Sequence, residues 1–150
     1  MKSQAAKRNL QDLTIAPILT WTNEKIKAHL DAVLELDGTK ILWGGAPLKN
    51  HSIPAIYGSY EPTAIQVPIK HFRGLRSREL LLTELFGPFQ IVVEYADFET
   101  EKVLRIMEDI PHHLTAACVS NDPIFTDSIL SSTVNGTTYH GMRARTTGAP

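Results

Sequence analysis

The fold is decided at Glu84-Leu85-Phe86-Gly87-Pro88-Phe89, which runs directly into Gln90-Ile91-Val92-Val93-Glu94-Tyr95. Gly87 and Pro88 break any helix, and the apolar run 89–93 is typical of a buried strand. Glu84 is therefore predicted on a turn just before a strand begins. Its carboxylate could accept hydrogen bonds from two vicinal hydroxyls, and the ring of Phe86 could pack against a flat heterocycle. Because the motif is short, a solvated turn glutamate and a core phenylalanine remain the alternative interpretation.

Length and composition indicate one soluble globular domain. The chain has 150 residues, of which 43% are hydrophobic and 21% charged, and its net charge is −1. That charge implies no electrostatic attraction to nucleic acid or to an anionic membrane. No apolar run is long enough for a transmembrane helix, and residues 1–10 lack the apolar core of a secretory signal. Cys118 is the single cysteine, which excludes an internal disulfide and is consistent with an intracellular, reducing setting.

Helical patterns recur along the chain. Residues 1–11 are polar and basic, contain alanines and predict a helix that lacks a cap. Thr22 or Asn23 can cap the next helix, and Gly38 is placed to stop it. Its apolar face is predicted to hold Ile26, Leu30, Val33 and Leu34. Further helices are predicted at 76–82, at the amphipathic stretch 99–110 and from Pro123 onward.

Strand patterns alternate with these helices. Strands are predicted at 40–43, 63–67, 89–95, 114–119 and 134–140. The run 89–95 is predicted as a central strand, and the small-residue run 114–119 as a strand buried on both faces. Alternating strands and helices over 89–140 predict an α/β fold with a mostly parallel sheet and flanking helices. Both ends of the sequence read as interrupted elements, the first inside a helix and the last inside a loop.

Three stretches go beyond a generic α/β pattern: Glu84-Leu85-Phe86-Gly87-Pro88-Phe89, Leu114-Thr115-Ala116-Ala117-Cys118-Val119-Ser120-Asn121-Asp122 and Val134-Asn135-Gly136-Thr137-Thr138-Tyr139. Their order and spacing resemble the second half of the aldehyde dehydrogenase catalytic domain, whose hallmark is the Glu-x-Phe-Gly-Pro motif. The tail Arg143-Ala144-Arg145-Thr146-Thr147-Gly148-Ala149-Pro150 resembles the plant-type pyrroline-5-carboxylate dehydrogenases, which are also called glutamate semialdehyde dehydrogenases. Residues 12–15 and 50–54 resemble that branch too. The resemblance covers nearly the whole chain and implies that residues 1–150 are a fragment of the catalytic domain.

The resemblance also implies an NAD site and a substrate site. Glu84 would bind the nicotinamide ribose hydroxyls of NAD, and Phe86 would pack beside the nicotinamide. Gly148 and Ala149 match a pair whose backbone N–H groups receive the carboxylate of the substrate, and consecutive N–H groups form a small anion-binding concavity. Taken without the resemblance, residues 147–149 read as an ordinary turn.

The family reaction is oxidation of a small-molecule aldehyde through a cysteine nucleophile, with a glutamate that activates water. Neither of those motifs, nor the family's Rossmann-like NAD domain, is found in this sequence, so no catalytic residue is assigned. Cys118 lies in an apolar strand and is predicted to be a buried, inert thiol. The polypeptide alone is therefore expected to be inactive.

Other expectations also follow from the resemblance: a homo-oligomer in the complete enzyme and a mitochondrial matrix location, although no targeting segment is recognised in the sequence. No metal site is predicted, because His112 and His113 are adjacent on a turn and point in different directions. Two alternatives remain open. One is a non-catalytic interaction module derived from the same fold, and the other is an aldehyde dehydrogenase with a different substrate.

Overall fold

A computed structural model describes residues 17–145 and confirms an α/β fold. The chain divides into two compact units, Met1–Glu94 and Tyr95–Pro150. The helix predicted at 1–11, the stretch 12–15 and the pair Gly148 and Ala149 lie outside the described residues. Each unit is described by itself.

The first helix among the described residues is the predicted capped helix. Helix α1, Asn23–Leu34, has Thr22 as its N-cap and buries Ile26, Leu30 and Val33. The prediction that Leu34 belongs to this buried face is wrong, because Leu34 is 36% exposed. It follows Val33 by one residue, which is a rotation of about 100° around the helix and away from the core. The helix ends at Leu34, and Gly38 (φ 80°) turns the chain just before the first strand.

A three-stranded sheet follows, formed by β1 (Lys40–Trp43), β2 (Thr63–Gln66) and β3 (Phe89–Val92). Strand β2 lies in the middle, antiparallel to β1 and parallel to β3. The prediction that the 89–95 run is the central strand is wrong in the described part of the chain, because β3 lies at the sheet edge. Apolar composition marks both β2 and β3 as strands, whereas only long-range pairing decides which one has two neighbours.

The end of β1 shows why Gly44 and Gly45 interrupt the strand. Both glycines have positive φ, 72° and 92°. A Cβ on Gly44 would lie 2.2 Å from the carbonyl oxygen of Pro62, so no side chain fits there. The Gly45 N–H donates to Thr63 Oγ1 at 2.9 Å, which joins this turn to the start of β2.

The core of the first unit includes side chains of α1 and of the segments that flank β2. Ile18, Ile26, Val33, Tyr60 and Val67 are among its largest fully buried side chains. A 3₁₀ helix, Ile69–Arg73, and helix α2, Leu75–Leu82, lead from β2 back towards β3. Helix α2 confirms the short helix predicted at 76–82.

The second unit contains a two-stranded parallel sheet and two α-helices in the described residues. A 3₁₀ turn, Asp97–Glu99, leads into α3, Thr100–Glu108, which is followed by β4, Thr115–Cys118. Helix α4, Pro123–Ser132, then crosses to β5, Thr137–His140, which pairs with β4. Pro123 is the first residue of α4, as predicted.

Strand β4 corrects one further prediction. The sequence predicts burial on both faces, but Ala116 and Cys118 are buried whereas Thr115 and Ala117 are exposed. Successive side chains of a strand point to opposite faces, so only one face of β4 is covered. Small side chains fit either environment, which is why the apolar run did not distinguish them.

Candidate functional site

The sequence-predicted cofactor residues lie on the loop between α2 and β3, residues 83–88, hereafter the 83–88 loop. Glu84 is exposed, Leu85 is buried and Phe86 is 63% exposed. The loop therefore inserts one apolar side chain into the core and leaves the carboxylate and the aromatic ring accessible. Phe86 is not a core residue, which removes that part of the alternative interpretation.

The backbone of Phe86 is in the left-handed region, with φ 50°. A residue with a Cβ is disfavoured there by about 1–2 kcal/mol, so the surrounding structure must hold it in place. Two contacts on the C-terminal side do so: the carbonyl of Pro88 accepts from the Thr63 N–H at 2.8 Å, and the Phe89 N–H donates to the Gly87 carbonyl at 2.8 Å. The loop is thereby tied to the first residue of the central strand.

A cleft of about 140 Å³ opens beside this loop, within the first unit. Its lining includes Glu84 and Phe86 of the loop, His29 and Leu30 of α1, and Gln90 of β3. Most of the lining residues are apolar, and the polar ones are His29, Thr83, Glu84 and Gln90. Such a mixture suits a ligand that has a flat apolar face and a few hydrogen-bonding groups.

His29 was missed by the sequence reasoning. Its ring meets that of Trp21 edge to face, with centroids 5.8 Å apart. Burial lowers the pKa of His29 below its ordinary value, so the neutral ring is favoured in the cleft. Helical spacing could have found it, because His29 follows Ile26 by three positions and so lies on the same face of α1.

The other candidate residues lie away from the 83–88 loop in the sequence. Gly148 and Ala149 lie outside the described residues. Cys118 is the last residue of β4 and is 5% exposed. The His113 ring lies 2.9 Å from the Glu108 carbonyl oxygen.

Residues 17–145 contain no group of three or more His, Cys, Asp or Glu side chains that could hold a metal ion. Among the helices of those residues, none has the length and apolar character needed to cross a membrane.

Comparison with known proteins relates the chain to one family. No protein-family model matches the chain. Over 151 residues the chain is 52% identical to a mitochondrial delta-1-pyrroline-5-carboxylate dehydrogenase of Arabidopsis thaliana. It is 49% identical over 150 residues to a Linum usitatissimum protein named as a probable aldehyde dehydrogenase. The chain belongs to the aldehyde dehydrogenase family. Both matches cover all of this chain but 27% of each relative, so the chain spans about a quarter of their length.

Solved structures of aldehyde dehydrogenases share the fold. A 1-pyrroline-5-carboxylate dehydrogenase from Thermus with bound NAD superposes with a TM-score of 0.61 at 21% identity, over 85% of this chain and 21% of that one. A glyceraldehyde-3-phosphate dehydrogenase from Methanocaldococcus jannaschii complexed with NADP gives 0.59 at 18% identity, over 82% of this chain and 23% of that one. At these identities the likeness concerns the fold alone.

Proposed function

We propose that this chain supplies the nicotinamide-end contacts of an NAD-dependent aldehyde dehydrogenase that oxidises glutamate γ-semialdehyde to glutamate in proline breakdown. The observation that carries the proposal is the 83–88 loop, which exposes Glu84 and Phe86 beside one cleft while burying Leu85 between them. The name of the Arabidopsis relative supports the choice of substrate.

The two exposed side chains fit the cofactor. Glu84 is an accessible carboxylate, and a hydrogen bond from a hydroxyl to a charged acceptor is among the stronger ones, so it could hold the ribose hydroxyls. Phe86 is mostly exposed and so can pack against a flat heterocycle, and its left-handed backbone sets the direction of the Cα–Cβ bond. When bound, NAD supplies the hydride acceptor, and the two side chains would orient its nicotinamide end.

Gly148 and Ala149 are the residues proposed to bind the substrate. Their backbone N–H groups would receive the carboxylate of the small-molecule aldehyde, since consecutive N–H groups form an anion-binding concavity. In the complete protein, Gly148→Pro should remove activity towards acidic aldehydes and spare neutral ones. Equal loss for both aldehydes would favour a different substrate.

We further propose that residues 1–150 are part of the catalytic domain and that this polypeptide alone does not turn over substrate. Its single thiol, Cys118, is buried on β4 and is not accessible to an aldehyde. The complete protein would be a homo-oligomer of the mitochondrial matrix, by analogy with the name of the Arabidopsis relative for the location. Measurable NAD reduction by the purified chain with glutamate semialdehyde would contradict the inactivity.

The cofactor contact can be tested on the chain as it stands. NADH is titrated into the wild-type chain, Glu84→Gln and Glu79→Gln, with nicotinamide fluorescence and calorimetry as readouts. Glu79 is an exposed glutamate of α2 and serves as the matched control. Losing a charge-assisted hydrogen bond should weaken NADH binding by Glu84→Gln about tenfold, with Glu79→Gln unchanged. Equal affinity of the two variants would contradict the proposed role.

A non-catalytic interaction module is the second candidate. In the second unit Phe98, Leu114 and Ile124 are 89%, 76% and 81% exposed. Exposed apolar side chains of this size favour contact with another polypeptide surface when they are contiguous. Absence of NADH binding together with concentration-dependent self-association would favour this candidate over the dehydrogenase.

A further inference from the structure

The side chain of Ile18 occupies the space beside Gly87. A Cβ added to Gly87 would lie 2.6 Å from Ile18 Cδ1 and 2.8 Å from Ile18 Cγ1. Gly87 is not among the residues with positive φ. Close packing against Ile18, rather than an unusual backbone conformation, therefore favours glycine at this position of the loop.

Ile18 is itself held firmly. It is 1% exposed, and its backbone forms a two-way bridge with Gly58, in which the Ile18 N–H donates at 2.8 Å and the Gly58 N–H donates back at 2.9 Å. Gly58 in turn packs against α1, because a Cβ there would lie 2.7 Å from Ile26 Cδ1. A continuous packed column thus runs from Ile26 through Gly58 and Ile18 to Gly87.

We infer that Ile18 is a positioning residue for the 83–88 loop: it fixes the backbone directly after Phe86 and so sets where the Glu84 and Phe86 side chains stand. It touches no cofactor in this scheme and acts through Gly87. Displacing a binding group by about 1 Å can cost a large factor in productive binding, so a rigid support under this loop has functional value. The inference rests on the cofactor role proposed for Glu84 and Phe86.

Reciprocal size changes test the inference. Gly87→Ala forces its new methyl into Ile18 and should weaken NADH binding about tenfold. Ile18→Ala removes Cγ1 and Cδ1, leaves the loop unsupported and should weaken binding as well. In the double variant the methyl introduced by Gly87→Ala enters the space that the Ile18 side chain vacated, so NADH affinity should return to within about threefold of wild type.

Ile26→Ala is the matched control, because Ile26 is the same residue type, is equally buried and contacts Gly58 rather than Gly87. It should destabilise the first unit to a similar degree without restoring NADH binding to Gly87→Ala. Rescue by Ile26→Ala as good as that by Ile18→Ala would overturn the inference. A double variant that binds no better than Gly87→Ala would do the same.

Amide hydrogen exchange provides a readout that does not need the cofactor. Exchange at Phe86 and Gly87 is measured relative to the amides of β2 in the same variants. Ile18→Ala should accelerate loop exchange about tenfold over β2, and Ile26→Ala should accelerate both segments alike. If the wild-type chain binds no NADH, the proposed cofactor role fails, and the exchange result alone decides whether Ile18 holds the loop. Equal acceleration of loop and β2 by Ile18→Ala would refute the positioning role.

Discussion

The left-handed backbone of Phe86 gives a sharp prediction, namely that Phe86→Gly is more stable than Phe86→Ala. Both changes remove the same ring, so its loss cancels in the comparison. Alanine keeps the penalty of about 1–2 kcal/mol for a Cβ at φ 50°, whereas glycine relieves it at a cost of about 0.5–1 kcal/mol in backbone entropy. The difference should favour glycine by about 0.5–1 kcal/mol.

The effect relative to wild type also follows from the structure. Phe86 is 63% exposed, so roughly a third of a ring of about 200 Å² is buried, and its removal costs about 2 kcal/mol. Phe86→Ala should therefore lose about 2 kcal/mol of unfolding free energy, and Phe86→Gly about 1–1.5 kcal/mol. Phe86→Gly would thus lose less unfolding free energy than Phe86→Ala, although it removes one more carbon atom.

Urea unfolding followed by tryptophan fluorescence measures both values, because Trp21 and Trp43 lie in the first unit. Phe89, in β3 of the same unit and without positive φ, is the matched control. There the order should reverse, and Phe89→Ala should be more stable than Phe89→Gly by about 0.5–1 kcal/mol. If alanine exceeds glycine at both positions, the left-handed conformation of Phe86 is wrong and the strain argument falls with it.

Two further predictions concern a helix cap and a buried imidazole. Asp122 accepts hydrogen bonds from the Ile124 and Phe125 N–H groups at 2.8 and 3.2 Å, so Asp122→Ala should lose about 1 kcal/mol of unfolding free energy by denaturant titration, while Asp127→Ala loses little. Burial lowers the pKa of His29, so its contribution to stability is complete above its ordinary value of 6.5 and declines as the pH falls below that value. His29→Phe should consequently lose less stability than wild type between about pH 7.5 and about pH 5.5 in urea unfolding, and an identical loss would contradict the prediction.

Local patterns predicted much of the secondary structure. The i, i+4, i+7 spacing of Ile26, Leu30 and Val33 places them on one face of a helix, and the structure buries all three. Likewise Gly44 and Gly45 end β1, and Pro123 begins α4. These outcomes depend on neighbours within a few positions in the chain, and such neighbours are visible in the sequence.

The α/β class and the exposed turn at Glu84 were thus determined by the sequence itself, because helical periodicity, strand runs and chain-breaking residues act locally. Tertiary structure alone decided that β2 and not β3 is the central strand, and that His29 lines the cleft beside Glu84. It also decided that a methyl group at Gly87 would press against the Ile18 side chain. Each of these depends on contacts between segments distant in sequence, such as Ile18 and Gly87. Their geometry is fixed only when the packed column between them forms.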